Sequence, residues 1–234
     1  MGLDSFIKKV DEQKFHEAAS RAVLYAKNWD VESKKVDLDN EQAQRDYEII
    51  TDVAEYILKS KTDPKDQIKI FFDLYMICPS YSVISTLKIY YWKDLFESAK
   101  KEFWRNIKSI LNSGKEHFIK PIEYSLWCDF FEDWNTVEES WKNLVTKDAT
   151  NEVLKIILDV SGPVPFNLKK PLYSRLIRSE FWHIHIFKSL LHSEFDVYGN
   201  IDKKESLKIL NRLSIDENTE HLDLLRERLQ EVQN

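Results

Sequence analysis

Apolar residues recur along this chain at steps of three and four positions, the period of an α-helix that buries one face. Between residues 41 and 59, for example, Tyr47, Ile50, Ala54 and Ile57 fall on one stripe. The period stays near 3.6 throughout, so the sequence predicts an all-α fold. The predicted helices cover about residues 3–28, 41–59, 64–78, 81–96, 98–113 and 116–131, then one opening at residue 136, then 150–160, 168–178, 180–195, 203–213 and 219–232.

Capping residues mark several of these helix ends. Asp63 before Pro64 predicts an N-cap followed by proline at the first helical position. Thr136 and Glu139 have the spacing of a capping box, and Gly114 is placed to end a helix. Near the C-terminus, a helix start at Asp202 and Glu205 is followed by a narrow apolar stripe, which predicts a capping last helix: Leu222, Leu225, Leu229 and Val232.

The predicted hairpins start near residues 63, 98, 133, 167 and 202, a spacing of about 35 residues that lies within the range of helix-turn-helix repeats. Residues 92–97 (WKDLFE) and 127–132 (WCDFFE) also align at an offset of 35, with four of six positions identical. On this period and helix pairing, residues 63–232 resemble the α-solenoid class of HEAT, armadillo and tetratricopeptide arrays. The resemblance implies stacked antiparallel hairpins whose concave face binds a partner.

These patterns predict a single helical domain over residues 1–234. Its N-terminal helices would cover residues 3–59, with a polar loop at 29–40, and about five hairpins would cover residues 63–232. A second W-x-D-x-F-E copy and a regular spacing of starts are the two observations on which this organisation depends.

Composition narrows the function classes. The 234 residues include only four glycines, so neither a P-loop nor a G-x-G-x-x-G turn can be written. The formal net charge of −6 lacks the basic excess of a nucleic-acid binder and suits a basic protein partner better. Two well-separated cysteines, Cys78 and Cys128, indicate free thiols in a reducing compartment. The N-terminus has no apolar signal core, and we expect a cytoplasmic protein without a membrane span.

One acidic stretch is the best candidate for a partner surface. Residues 121–141 contain six acids and no lysine or arginine. An acidic field of this kind speeds association with a cationic partner, and a tryptophan at a junction between acids could anchor it. The alternatives for these acids are a solvated acidic surface and a catalytic role. The predicted partner-binding residues are Asp94, Glu97, Asp129, Glu132, Asp133, Trp134 and Glu138.

Other chemistry-bearing residues give weaker signals. Glu180 and His183 form an E-x-x-H, the unit of di-iron bundles, but no second copy follows. We therefore expect packing histidines, no metal and no cofactor. Basic residues cluster in two hairpins, where a charge-balanced surface is the simplest interpretation: Lys100, Lys101, Arg105, Lys108, Lys115 and Lys120 in one, and Lys169, Lys170, Arg175 and Arg178 in the other.

The sequence thus predicts a non-catalytic protein-binding module. A concrete form is a bacterial immunity or inhibitor protein that neutralises a basic toxin or nuclease, an analogy from size, acidity and lack of catalytic motif. The alternatives are a helical-repeat adaptor or scaffold and an enzyme resembling the helical-repeat alkylpurine DNA glycosylases, which would use a basic groove. Nucleic acid and membrane are not expected partners.

Overall fold

A computed structural model describes residues 2–27, 41–133, 135–194 and 201–230, with only the backbone described for 89–97 and 194. Every regular element in these ranges is helical, which confirms the all-α class. The predicted loop at 29–40 lies outside the described residues. Tertiary contacts group the chain into two compact units, residues 1–125 and 126–234. The single domain over residues 1–234 stays a prediction. No helix among the described residues is long and apolar enough to cross a membrane.

The first unit contains six helices. They are α1 (Asp4–Ile7), α2 (Glu12–Lys27), α3 (Glu41–Leu58), α4 (Pro64–Ile77), α5 (Tyr81–Leu111) and α6 (Glu116–Ser125). Asp11 accepts a hydrogen bond from the Lys14 amide at 3.1 Å, so it starts α2 afresh and divides the helix predicted over residues 3–28. Asp63 caps α4 as predicted, accepting from the Lys65 amide at 2.9 Å.

The long helix α5 departs from the prediction. It runs from Tyr81 to Leu111 without a break at Ser98, so the hairpin start predicted there is wrong. Gly114 follows the helix with φ of 66°, the left-handed conformation that a C-terminal glycine supplies. Ser98 lies exposed in mid-helix, where no proline or glycine turns the chain. A capping residue type does not end a helix whose apolar stripe continues past it.

The core of the first unit is aromatic. Phe71, Phe103 and Tyr75 are fully buried, and the Tyr75 hydroxyl donates to the Phe118 carbonyl at 2.6 Å, which ties α4 to α6. Helix α5 packs against α3, α4 and α6, while α2 packs against both α3 and α6. The unit therefore closes on itself as a bundle. Solenoid stacking, in which each repeat contacts only its neighbours, is not confirmed.

The second unit opens with a π-helix, Leu126–Phe131. It continues with α7 (Val137–Leu144), α8 (Asn151–Asp159), α9 (Phe166–Leu176), a 3₁₀ turn (Glu180–Trp182), α10 (His183–Glu194), α11 (Lys203–Leu210) and α12 (Leu222–Gln230). Asp202 caps α11 as predicted, accepting from the Glu205 amide at 3.0 Å. Three members of the apolar stripe predicted for the last helix are buried: Leu222, Leu225 and Leu229. The fourth, Val232, lies outside the described residues.

The repeated sequence does not correspond to repeated structure. Residues 92–97 lie inside the α-helix α5, whereas residues 127–131 belong to the π-helix. The two copies therefore have different backbone geometry, and the echo at an offset of 35 does not mark a structural repeat.

Candidate functional site

The acidic stretch is shaped by the π-helix at its centre. A π-helix closes each turn with a hydrogen bond to the fifth residue along, so its turn is wider than that of an α-helix. Phe130 and Phe131, although adjacent, are both 1% exposed and form part of the core. Trp127 is 42% exposed on the same short element. Single-turn π segments of this kind occur often at functional sites, so the outward residues of this one are the candidates of interest.

Trp127 and Glu132 bracket the π-helix, Trp127 in its first turn and Glu132 directly after its last residue. Both side chains are exposed. An exposed indole and an exposed carboxylate in one short segment present an apolar contact area together with negative charge, and tryptophan is the residue type most often found at the centre of protein interfaces.

Asp129 does not belong to this surface. Its side chain was expected to be exposed next to Glu132, one α-helical turn away, but the structure buries it to 8% exposure. The cause is the π-helical turn, which displaces residues three apart from a common face and directs Asp129 inward. Asp129 was predicted to be a partner-binding residue, and its place on an exposed surface is wrong because its side chain is buried.

Two of the remaining acids, Asp133 and Glu138, form hydrogen bonds or ion pairs with neighbouring residues. Asp133 is half-buried, and its Oδ1 accepts from the Asn135 backbone amide at 2.9 Å and from the Asn135 side-chain amide at 3.2 Å. Glu138 is exposed and forms an ion pair with Lys142, one turn later on α7. Counter-charges therefore lie just outside the acidic stretch on both sides, at Lys142 and at Lys120, which lies 3.4 Å from Glu123.

The predicted capping box at Thr136 does not form. Thr136 is buried, and its hydroxyl donates back to the Phe130 carbonyl at 3.1 Å and to the Asp133 carbonyl at 3.3 Å. It makes no side-chain cap on α7. The final carbonyls of a helix lack hydrogen-bond donors within that helix. Thr136 therefore donates to a carbonyl at the end of the π-helix instead of capping the amides at the start of α7.

Several predicted residues cannot be placed on this surface. Trp134 lies outside the described residues. Asp94 and Glu97 lie in the stretch of α5 whose side chains are not described, and they belong to the first unit. Trp127, which was not among the predicted partner-binding residues, is exposed. Three other tryptophans are buried: Trp104, Trp141 and Trp182.

Comparison with known proteins found no matching family model, no matching curated protein and no matching solved structure.

The histidines of α10 have structural contacts. His183 is buried; its Nε2 lies 2.9 Å from the Ile177 carbonyl, and its Nδ1 accepts from the Ser214 amide at 2.9 Å. This pair of contacts fixes the neutral tautomer with the proton on Nε2. Both ring nitrogens are occupied, so His183 cannot bind a metal without losing at least one of these hydrogen bonds. No group of three His, Cys, Asp or Glu side chains in the described ranges is arranged for a metal ion. That the protein needs no metal or cofactor stays a prediction.

A buried cluster in the second unit combines lysine, serine and tyrosine. Lys169 is fully buried, and its Nζ donates to the Ser161 carbonyl at 2.9 Å, to the Gly162 carbonyl at 3.3 Å and to the Ser193 hydroxyl. Ser189 Oγ lies 2.6 Å from Ser161 Oγ and 2.7 Å from the hydroxyl of Tyr173, the fifth member. Burial raises the pKa of that tyrosine.

This cluster contains the residue types of Ser-Lys hydrolases, but its geometry serves packing. Every member is inaccessible to solvent, so no substrate reaches the serine hydroxyls in this conformation. The network joins the turn after α8 to α9 and α10. Lys169 was assigned from the sequence to a basic surface patch, and that assignment is wrong, because its ammonium satisfies carbonyls inside the fold.

Proposed function

We propose that this chain is a non-catalytic helical module that binds a basic protein partner. The docking surface is the outward face of the segment formed by Trp127, Glu132, Asp133 and Glu138, called here the acidic face. The observation that carries the proposal is the exposed Trp127 on the π-helix, with the exposed Glu132 directly after that helix. The proposal does not require the helices to stack as a solenoid.

The chemistry of the acidic face explains the choice of partner. Interfaces are enriched in tryptophan and use complementary charge to direct encounter, and complementary potentials raise the association rate. The carboxylates of Glu132 and Asp133 place negative charge in the same short segment as the indole of Trp127. A basic partner would meet this charge and cover the indole at the same time. The net charge of −6 acts in the same direction at longer range.

An inhibitor that neutralises a basic toxin or nuclease is the concrete form of this proposal. Such an inhibitor needs a preformed, negatively charged surface and no reactive group of its own. The acidic face carries carboxylates and an exposed indole; Trp127 lies on the π-helix and Glu138 on α7, while Glu132 and Asp133 lie in the connection between these two helices.

The test compares two charge-matched variants. The first is the triple variant Glu132→Lys, Asp133→Lys and Glu138→Lys. The control reverses three exposed acids elsewhere: Asp52→Lys, Asp73→Lys and Glu227→Lys. Both change the net charge equally. Wild type and both variants are used as bait against lysate from the cells in which the protein is native, and retained proteins are quantified by mass spectrometry.

The expected result is a basic protein retained by the wild type and the control but lost from the acidic-face variant. Its association rate should fall with salt for the wild type and depend less on salt for that variant. Equal retention by all three baits, or selective loss of an acidic protein, would contradict the proposal. A retained nuclease whose activity the wild type suppresses would support the inhibitor form.

A further inference from the structure

His183, the first residue of α10, is held on both sides of its ring by backbone groups of other segments. Its Nε2 lies 2.9 Å from the carbonyl of Ile177, the residue that ends α9, and its Nδ1 lies 2.9 Å from the Ser214 amide. Ser214 lies in the connection between α11 and α12, residues 211–221, called here the C-terminal connection. One imidazole therefore joins the start of α10 to the end of α9 and to this connection.

These two hydrogen bonds require a neutral ring. A carbonyl oxygen only accepts, so Nε2 carries the proton, and a backbone N–H only donates, so Nδ1 must accept with its lone pair. A second proton on Nδ1 would point at the Ser214 N–H, and two donors cannot form one hydrogen bond. Because His183 is 5% exposed, water has little access to this nitrogen while the C-terminal connection stays in place. Protonation and the bond to Ser214 therefore exclude each other.

The charged groups near His183 offer no acceptor for that second proton within the described part of the chain. Helix α8 packs against α10, and its Asp159 contacts other histidines, His185 Nδ1 through a carboxylate oxygen at 3.1 Å and His192 Nδ1 through its carbonyl. Helix α12 also packs against α10, and its buried face is apolar. The charged side chains beside Ile177, on the 3₁₀ turn, on α10 itself and on either side of Ser214 are exposed: Arg178, Glu180, Lys188, Arg212 and Asp216.

We propose that His183 is an acid-sensitive latch: uptake of a second proton breaks its hydrogen bond to the Ser214 amide and frees the C-terminal connection from α10. A histidine in an open segment takes up this proton near pH 6.5. The open form binds the proton and the latched form does not. The stability that the latch contributes is therefore present above about pH 6.5 and is lost progressively as the pH falls below that value.

Two neighbouring attachments do not respond to mild acid. Lys170 of α9 pairs with Glu205 of α11 at 2.8 Å, and hydrogen bonds from Lys170 and Lys208 lower the pKa of Glu205 to about 2, so this ion pair persists. A protonated His185 can still donate to Asp159, so the contact between α8 and α10 persists as well. Mild acid should therefore open the C-terminal connection locally, without unfolding the second unit.

The test follows the full chain at pH 7.5 and pH 5.5. Amide hydrogen exchange, corrected for the pH dependence of the chemical step, measures protection of the C-terminal connection, with α8 as the internal reference. His183→Asn removes the titrating ring but offers Oδ1 as an acceptor for the Ser214 amide. His192→Asn on α10 and His221→Asn in the connection are the controls, since these histidines contact Asp159 and Glu220 instead. His221 has φ of 65°, which asparagine tolerates. Circular dichroism checks that each variant folds.

We expect protection of the C-terminal connection in the wild type to fall about tenfold at pH 5.5, because an open histidine is protonated about ten to one at that pH. Both controls should respond like the wild type, and His183→Asn should lose most of the response. The proposal is overturned if wild-type protection falls less than about threefold, if α8 loses protection equally, or if His183→Asn keeps the full response.

Nitrogen-15 NMR of the imidazole rings tests the same latch without any variant. In the wild type at pH 7.5, His183 should carry its proton on Nε2 alone, as its two hydrogen bonds require. A proton on Nδ1, or on both nitrogens at this pH, would also overturn the proposal.

Discussion

Arg21 on α2 and Asp46 on α3 form a two-point ion pair, with Nε 2.6 Å from Oδ2 and the terminal nitrogen 2.8 Å from Oδ1. The Asp46 side chain is 2% exposed and that of Arg21 is 33% exposed. Gln42 adds a third donor to Asp46 at 2.8 Å. Burial alone would raise the pKa of Asp46, but the hydrogen bonds from Arg21 and Gln42 and the charge of Arg21 outweigh it and lower the pKa.

Asp46→Asn should therefore destabilise the protein in a pH-dependent way. At neutral pH the loss should be about 2 kcal/mol, less than for a fully buried pair because Arg21 reaches solvent. A lowered carboxyl pKa gives stability that is present above the unfolded value, about 3.9, and is lost as pH falls through the folded pKa. The gap between wild type and variant in urea unfolding should thus narrow between pH 5 and pH 3.

Glu48→Gln is the control for this prediction. Glu48 is exposed on the same helix, and its carboxylate accepts a long hydrogen bond from Gln44 at 3.4 Å, so the change should cost under about 0.5 kcal/mol at every pH. If the difference in unfolding free energy between wild type and Asp46→Asn stays constant down to pH 3, the ion pair does not cause the loss of stability at acid pH.

Lys169 should be among the most sensitive positions of the second unit. Lys169→Met keeps the aliphatic bulk but leaves the Ser161 and Gly162 carbonyls without their donor, which should cost roughly 2–4 kcal/mol. Lys155→Met, at an exposed lysine of α8, should change stability by under about 0.5 kcal/mol. Thermal unfolding followed by circular dichroism measures both. If Lys169→Met has the same melting temperature as the wild type, these two carbonyls do not need the lysine as their donor.

The sequence predicted helix starts better than it predicted where a helix continues. Asp63 and Asp202 were recognised because an acid before a helix forms its cap from local residues alone. Ser98 was wrongly assigned as a start because continuation of α5 depends on packing against α3, α4 and α6. The buried Lys169 was likewise missed, since its acceptors lie in other elements.

The sequence picked out the acidic stretch, but it did not indicate which of its side chains are exposed. Acid content picked out the stretch that contains Glu132 and Asp133. The exposure of Trp127 and burial of Asp129 depend on a π-helical turn, which residue types do not specify.

The two cysteines should react at very different rates. Cys78 is fully buried, and burial raises its pKa to about 12. Its thiolate fraction at pH 8 is then on the order of one in ten thousand, and the thiolate is the reactive form. Cys128 is partly exposed. Iodoacetamide labelling followed by peptide mapping should modify Cys128 first, and Cys78 only when denaturant unfolds the chain. Equal labelling of both thiols in the native protein would contradict the burial of Cys78.

Thr136 and Thr150 offer a direct test of where each hydroxyl acts. Thr150 accepts from the Val153 amide at 3.3 Å and caps α8, whereas Thr136 donates to the Phe130 carbonyl. Thr150→Val and Thr136→Val should each cost about 1 kcal/mol, the first through a lost cap and the second through an unsatisfied carbonyl. Glu139→Gln should cost under about 0.5 kcal/mol, because Glu139 has no capping box to complete.

Only Thr136→Val should also alter the acidic face. Its hydrogen bond holds the end of the π-helix, so losing it frees the turn that orients Trp127 and Glu132. Amide hydrogen exchange over residues 126–133 should accelerate in Thr136→Val and stay unchanged in Thr150→Val, whose hydroxyl acts at the start of α8. If both variants leave exchange in the π-helix unchanged, packing of Phe130 and Phe131 fixes that turn without the threonine. If Glu139→Gln destabilises as much as Thr150→Val, the capping box forms in solution.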